Sequence, residues 1–216
     1  MKIGKKSIGV IPSVSEEYGS VRSQNLAYYD NNNQQYFDIS FGFDMNNFYD
    51  RFLSHGVIDG GKILDAGCGV GRDTKNFIER GYQVSSFDGS QKMVDFCNQV
   101  PGANCIKSDF IDIKYPSKEF DGIWCCASLL HLPTEAFDLA INNLTESLND
   151  NGVFYFSIKQ LENGYFFDGE RHFYNPGEQH IIDLFESHGL TLADSYKTGK
   201  QNDPAQTFIS YIFKKS

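Results

Sequence analysis

One stretch, Ile63-Leu64-Asp65-Ala66-Gly67-Cys68-Gly69-Val70-Gly71-Arg72-Asp73-Thr74, constrains what this chain can fold into more than any other. The apolar run Lys62 to Ala66 reads as a buried strand, and Arg72 to Arg80 reads as a helix that Gly81 ends. Between them Gly67, Gly69 and Gly71 form a turn where a Cβ would obstruct a close backbone approach. A strand, a glycine turn and a helix N-terminus make the phosphate or nucleoside end of a doubly wound sheet. The spacing is Gly-x-Gly-x-Gly, whereas the dinucleotide fingerprint G-x-G-x-x-G calls for glycine where Arg72 stands.

The rest of the chain alternates in the same sense. Before the glycine turn, residues 1 to about 20 lack periodicity and are expected to run over the surface as a tail. An aromatic and Asn-rich segment over 21–55 predicts two helices, about 23–38 and 45–54, lying over the sheet as a cap. After it come strands over 82–87, 104–107, 120–126 and 153–158, with helices from Ser90 to about Asn98 and after Pro133 between them. The turn 149–152 precedes the fifth strand. Residues 159–174 are long for a connection and are expected to be a substrate loop. A helix begins around Pro176 and ends at Gly189, and strands over 190–196 and 207–214 close the chain. Two successive strands without a helix between them predict one antiparallel edge strand on a mostly parallel, seven-stranded sheet. A chain of 216 residues with 40% hydrophobic content is expected to form a single domain, 1–216.

Charge and composition exclude several classes. A formal net charge of −9 argues against a nucleic-acid partner, which needs a clustered basic face. No run approaches the roughly 18 apolar residues of a membrane span, so no membrane partner and a cytoplasmic location are expected. Cys68, Cys97, Cys105, Cys125 and Cys126 show neither C-x-x-C nor a zinc-type spacing, and they read as buried reduced thiols with no metal.

At the carboxyl ends of the predicted strands stand the glycine turn, Asp88 and Asp109. A carboxylate at the position of Asp88 can accept both hydroxyls of a ribose and would repel a 2′-phosphate. Tyr28, Tyr29 and Tyr36 offer a ring face and a hydroxyl to a pocket. His131, just after the fourth strand, can take a proton near neutral pH and is the candidate base; packing at the helix entry is the competing reading.

The motifs Ile-Leu-Asp-Ala-Gly-Cys-Gly-Val-Gly-Arg-Asp at 63–73, Phe-Asp-Gly-Ser at 87–90, Ser-Asp-Phe at 108–110 and Phe-Asp-Gly-Ile-Trp-Cys-Cys-Ala-Ser-Leu-Leu-His-Leu-Pro at 120–133 resemble, in order, those of class I S-adenosylmethionine-dependent methyltransferases. Asn32 to Asp38, Ser157-Ile158-Lys159 and Asp168 to Phe173 resemble a bacterial small-molecule subfamily. The resemblance implies a Rossmann-like, three-layer αβα fold with added N-terminal helices and S-adenosyl-L-methionine as cofactor. By it, Asp65, Gly67, Cys68, Gly69, Gly71 and Arg72 would shape the methionine and ribose end, and Asp88 with Gly89, Ser90 and Met93 the ribose side. Asp109 would meet the adenine amino group, the Phe110 backbone the ring, and Cys126, Ala127 and Leu129 the surroundings of the sulfonium.

Tyr28, Tyr36, Tyr165, Arg171, His172 and Tyr174 are the candidate substrate residues, Arg171 suiting a carboxylate. The Asp-Pro-Pro-Tyr motif of nucleic-acid amino-methylating enzymes is not what stands at Cys125 to Ser128. The expected reaction is methyl transfer to a small-molecule acceptor by in-line displacement, from a monomer or homodimer. Two alternatives stay open on sequence: a non-catalytic S-adenosylmethionine-binding regulatory subunit, and an NAD-dependent oxidoreductase on a similar sheet.

Overall fold

The computed structural model describes residues 16–161, 163–199 and 206–216. Three helices lead in: α1 (Glu16–Asn31), α2 (Asn33–Ser40) and α3 (Asn46–Ser54). Then follow β1 (Lys62–Ala66), α4 (Arg72–Glu79), β2 (Gln83–Asp88), α5 (Gln91–Cys97), β3 (Cys105–Lys107) and β4 (Phe120–Cys125). The second half contains α6 (Thr134–Ser147), β5 (Leu148–Lys159), β6 (Tyr165–Phe167), β7 (His172–Tyr174), α7 (Glu178–Ser187), β8 (Leu190–Gly199) and β9 (Thr207–Lys215). Seven strands form one sheet in the order β3-β2-β1-β4-β5-β9-β8. Strands β1 to β5 pair in parallel, and β9 runs antiparallel to both β5 and β8. The antiparallel strand therefore sits one place in from the edge, with β8 outside it.

Alternation along the central strands splits the core in two, because successive side chains leave a strand on opposite faces. Leu64, Ile123, Phe154, Phe156 and Phe213 join α6 and α7 residues such as Phe137 and Phe185 on one side. Ile63, Trp124, Tyr155 and Ile212 pack on the other side against Tyr49 and Phe52 of α3 and Phe77 of α4. Strands buried on both faces with helices over each are what the near-continuous apolar runs of β4 and β5 require.

Four expectations change in detail. The predicted surface tail 1–20 lies partly outside the described residues, and from Glu16 onward the chain is helical. Tyr18, Val21 and Asn25 are buried on one face of α1, a helical spacing too polar to stand out in the sequence. The expected helix over 23–38 is broken at Asn32, giving α1 and α2. The turn 149–152 is a bulge inside β5, where Phe120 pairs with Leu148 and Gly122 with Val153. The stretch 159–174 is a structured hairpin, β6 pairing antiparallel with β7, because its alternating aromatics can pair across strands.

Phe52 is fully buried between the rings of Phe77, Trp124 and Tyr155, at centroid distances of 5.9, 5.2 and 6.3 Å. Phe52→Ala should lower unfolding free energy by about 3–5 kcal/mol, read from urea denaturation. A loss under 1 kcal/mol would show that α3 does not anchor this face.

Candidate active site

Loops following β1, β2, β3 and β4 converge at the carboxyl ends of the parallel strands, beside the switch point between β1 and β4. They enclose a cleft with about 970 Å³ of empty space, part of it open to solvent. Gly67 has φ 73° and a Cβ there would meet Ser128 Cβ at 2.5 Å, so only glycine lets the β1 and β4 loops touch. Ser128 Oγ donates to the Ala66 carbonyl at 2.8 Å and holds that contact. Gly71, at φ 83°, starts α4 where a Cβ would lie 2.8 Å from the Cys97 backbone.

Asp88 closes one wall. Its Oδ2 accepts the Gly69 N–H and its Oδ1 the Ser90 N–H, both at 2.9 Å, which fixes the carboxylate and leaves lone pairs for a ligand's hydroxyls. Burial outweighs these two bonds and pushes its carboxyl up to about 6. Asp109 Oδ1 accepts the N–H groups of Ile111 and Asp112, at 2.9 and 2.8 Å, while Oδ2 faces the Arg22 guanidinium of α1. Ala127 sits at φ 50° and donates its N–H to Ser157 Oγ at 2.9 Å, so a strained backbone stands where the β4 loop borders the cleft.

The floor is a buried ion pair. Asp73 accepts from Arg72 Nε at 2.6 Å, Tyr49 Oη at 2.5 Å and Trp124 Nε1 at 2.9 Å. Burial favours its neutral form, but the Arg72 charge and these donors hold the carboxyl below its usual range. Arg72 Nη2 also reaches Cys126 Sγ at 3.7 Å.

The roof is α1. Tyr29 Oη is 2.7 Å from His131 Nε2, and His131 Nδ1 is 2.8 Å from the His172 carbonyl. A carbonyl can only accept, so these bonds assign the neutral tautomer with Nδ1–H donating and Nε2 accepting the Tyr29 hydroxyl proton. Burial pushes the imidazole down to about 4.

Of the cofactor candidates, Gly67, Cys68, Gly69, Arg72, Asp88, Gly89, Met93, Asp109, Phe110, Cys126 and Ala127 line the cleft, as do His131 and Tyr36. Asp65, Gly71, Ser90 and Leu129 do not. Asp65 is buried beneath the turn and accepts from Thr74 Oγ1 at 2.6 Å; Ser90 caps α5 through the Met93 N–H and donates to Asp30 Oδ1 at 2.5 Å. Tyr28, Tyr165, Arg171, His172 and Tyr174 also lie off the lining, grouped behind α1. Arg171 is paired with Asp168 at 2.9 Å and lies 4.3 Å over the Tyr28 ring, which removes it as a free carboxylate binder. His172 donates its backbone N–H to Asn25 Oδ1 at 2.8 Å, and its ring meets Tyr165 Oη and Gln24 Oε1. Tyr165 and Tyr174 meet across the hairpin as tilted rings, centroids 5.1 Å apart. The hairpin thus braces α1 and His131 from outside. Sequence reasoning did not single out Tyr18, Arg22, Asn25, Leu26, Ser40 or Asp73 for the cleft. The 18, 22, 25, 29 spacing was the available signal, hidden by the polarity of α1.

A doubly wound sheet with a glycine turn, and acidic residues ending β2 and following β3, is an arrangement whose geometry suits a nucleoside. Residues 63–152 match the family model described as a methyltransferase domain. The Bacillus subtilis protein YqeM, named as a methyltransferase, is 29% identical over 104 residues, 40% of this chain and 42% of YqeM. The chain spans less than half the length of the curated relatives it matches first. Among solved structures, Burkholderia thailandensis 1,6-didemethyltoxoflavin-N1-methyltransferase, with 1,6-didemethyltoxoflavin and S-adenosylhomocysteine bound, superposes with TM-score 0.74 at 18% identity, over 97% of this chain and 93% of that one. Magnesium protoporphyrin IX methyltransferase of Synechocystis, with S-adenosylhomocysteine, gives 0.72 at 20% identity, over 93% and 100%. Residues 63–152 thus match a methyltransferase domain, and the solved neighbours share the fold of the whole chain.

Asp88 holds its proton more tightly folded than unfolded, so its contribution to stability falls as pH rises from about 4 to about 6. Asp88→Asn should flatten that part of the stability-versus-pH curve, while losing one of the two backbone hydrogen bonds because an amide nitrogen cannot accept from Gly69 or Ser90. Parallel wild-type and variant curves by thermal or urea unfolding would contradict it.

Proposed function

We propose that this chain is an S-adenosylmethionine-dependent methyltransferase for a small-molecule acceptor, working in the cytoplasm as a monomer or homodimer. The observation that carries the reading is the fixed Asp88 carboxylate, set by Gly69 and Ser90 on the same cleft wall as Asp109. Its remaining lone pairs suit ribose hydroxyls, and Asp109, paired through Oδ2 with Arg22, borders the same wall. Phe110 and Met93 supply apolar contact for an adenine ring. The rings of Tyr29 and Tyr36, 5.2 Å apart, border the other end, where aromatic faces favour a cation. Solved neighbours in complex with S-adenosylhomocysteine support the same choice.

When bound, the cofactor supplies an electrophilic methyl group on a sulfonium. The chain's own part is to bind, align and exclude water, and alignment alone can supply roughly 7–11 kcal/mol of a displacement barrier. His131 is a positioning residue in this reading. Its Nε2 lone pair is taken by Tyr29 and its buried ring resists protonation, so it fixes the Tyr29 hydroxyl beside the cleft. The preferred acceptor then presents a nucleophilic lone pair or loses its proton readily, without a strong protein base.

A net charge of −9 supports a partner other than nucleic acid, and five free cysteines support a reducing compartment. Among the described residues no helix is long and apolar enough to cross a membrane.

Calorimetric titration should show S-adenosylhomocysteine binding to wild type, at least tenfold weaker binding to Asp88→Ala as about 1.4 kcal/mol or more is lost, and no NAD binding. Radiolabelled methyl from the cofactor should appear in a small-molecule extract with wild type only. Binding without transfer to any acceptor would favour a regulatory subunit, and NAD binding would sink the reading.

A further inference from the structure

Behind the glycine turn three thiols converge that methyl transfer does not use. Cys68 stands between Gly67 and Gly69, Cys97 ends α5 and Cys105 opens β3. All three are free and buried, and Val94 and Ala103 pack around them. Their sulfurs lie within 4.8 Å of one another, and those of Cys68 and Cys105 are 3.3 Å apart.

A metal–sulfur bond of about 2.3 Å places three sulfurs about 4.0 Å apart in a trigonal plane. The Cys68–Cys105 separation is somewhat shorter than that figure, and every pair lies within 4.8 Å. Three sulfurs with no imidazole or carboxylate among them rank soft ions above hard ones. Cys68 also lines the cleft. We propose that Cys68, Cys97 and Cys105 form a binding site for a soft, closed-shell divalent metal ion of the zinc and cadmium class. The thiol protons leave to solvent as the ion binds, with no change of oxidation state. The site joins the glycine turn to α5 and β3. Its ligands come from three separate elements, which is why no C-x-x-C spacing announces it.

Cadmium chloride titrated into the full chain, kept reduced with a phosphine, tests the assignment through sulfur-to-cadmium charge-transfer absorption in the ultraviolet. The expected result is a band that saturates at one equivalent. Cys68→Ser, Cys97→Ser and Cys105→Ser should each weaken binding by about tenfold or more, while Cys125→Ala, buried elsewhere on β4, keeps the band. X-ray absorption on cadmium-loaded wild type gives a reading that depends on no variant, and a shell of three sulfurs is expected. An oxygen or nitrogen shell, no saturable band, or a band undiminished in all three serine variants overturns the proposal.

Discussion

The carboxylate of Asp73 is the point on which the site rests. A buried charge survives only if it is paired and its lone pairs are used, and Asp73 meets both conditions with Arg72, Tyr49 and Trp124. These partners come from α4, α3 and β4, so a single group fixes the angle of the first helix after the glycine turn, the docking of the N-terminal helices and the middle of the sheet. It also fixes Arg72, whose guanidinium then borders the cleft beside Cys126 rather than reaching into solvent. Were the pair broken on one side, the other charge would be stranded in the apolar cluster of Phe52, Phe77 and Trp124.

The parts of this architecture legible in the sequence are those encoded locally. The apolar run into β1, the three glycines and the start of α4 are adjacent in the chain, and Asp88 and Asp109 each follow a recognisable strand. What escaped the sequence was long-range. Tyr29 and His131 meet across 102 positions, and Asn25 meets His172 across 147. No spacing rule links such residues. Asp73 was in plain view within the motif, but a carboxylate in the first helical turn usually reads as a favourable partner of the helix dipole. Only burial shows that it organises its neighbours instead.

The aromatic residues of 159–174 illustrate a related difficulty. Their composition and the length of the segment mark it as functional, yet the hairpin turns Arg171 toward Tyr28 and Asp168 and offers its backbone to Asn25 and His131. Charge and ring chemistry that could grip a ligand are used to stiffen the wall behind the cleft. Composition identifies a region near a site without revealing which side faces the ligand.

Helix α1 carries Gly19, three serine or asparagine residues within the next six positions, and few strong helix formers, so its own sequence gives it little helical stability. It is held by what it touches: Asp109 through Arg22, Ser90 through Asp30, and the histidines through Asn25 and Tyr29. With each neutral hydrogen bond worth about 1 kcal/mol net, detachment of α1 takes only part of the energy of global unfolding. Entry to and exit from the cleft then depend on how often this roof lifts.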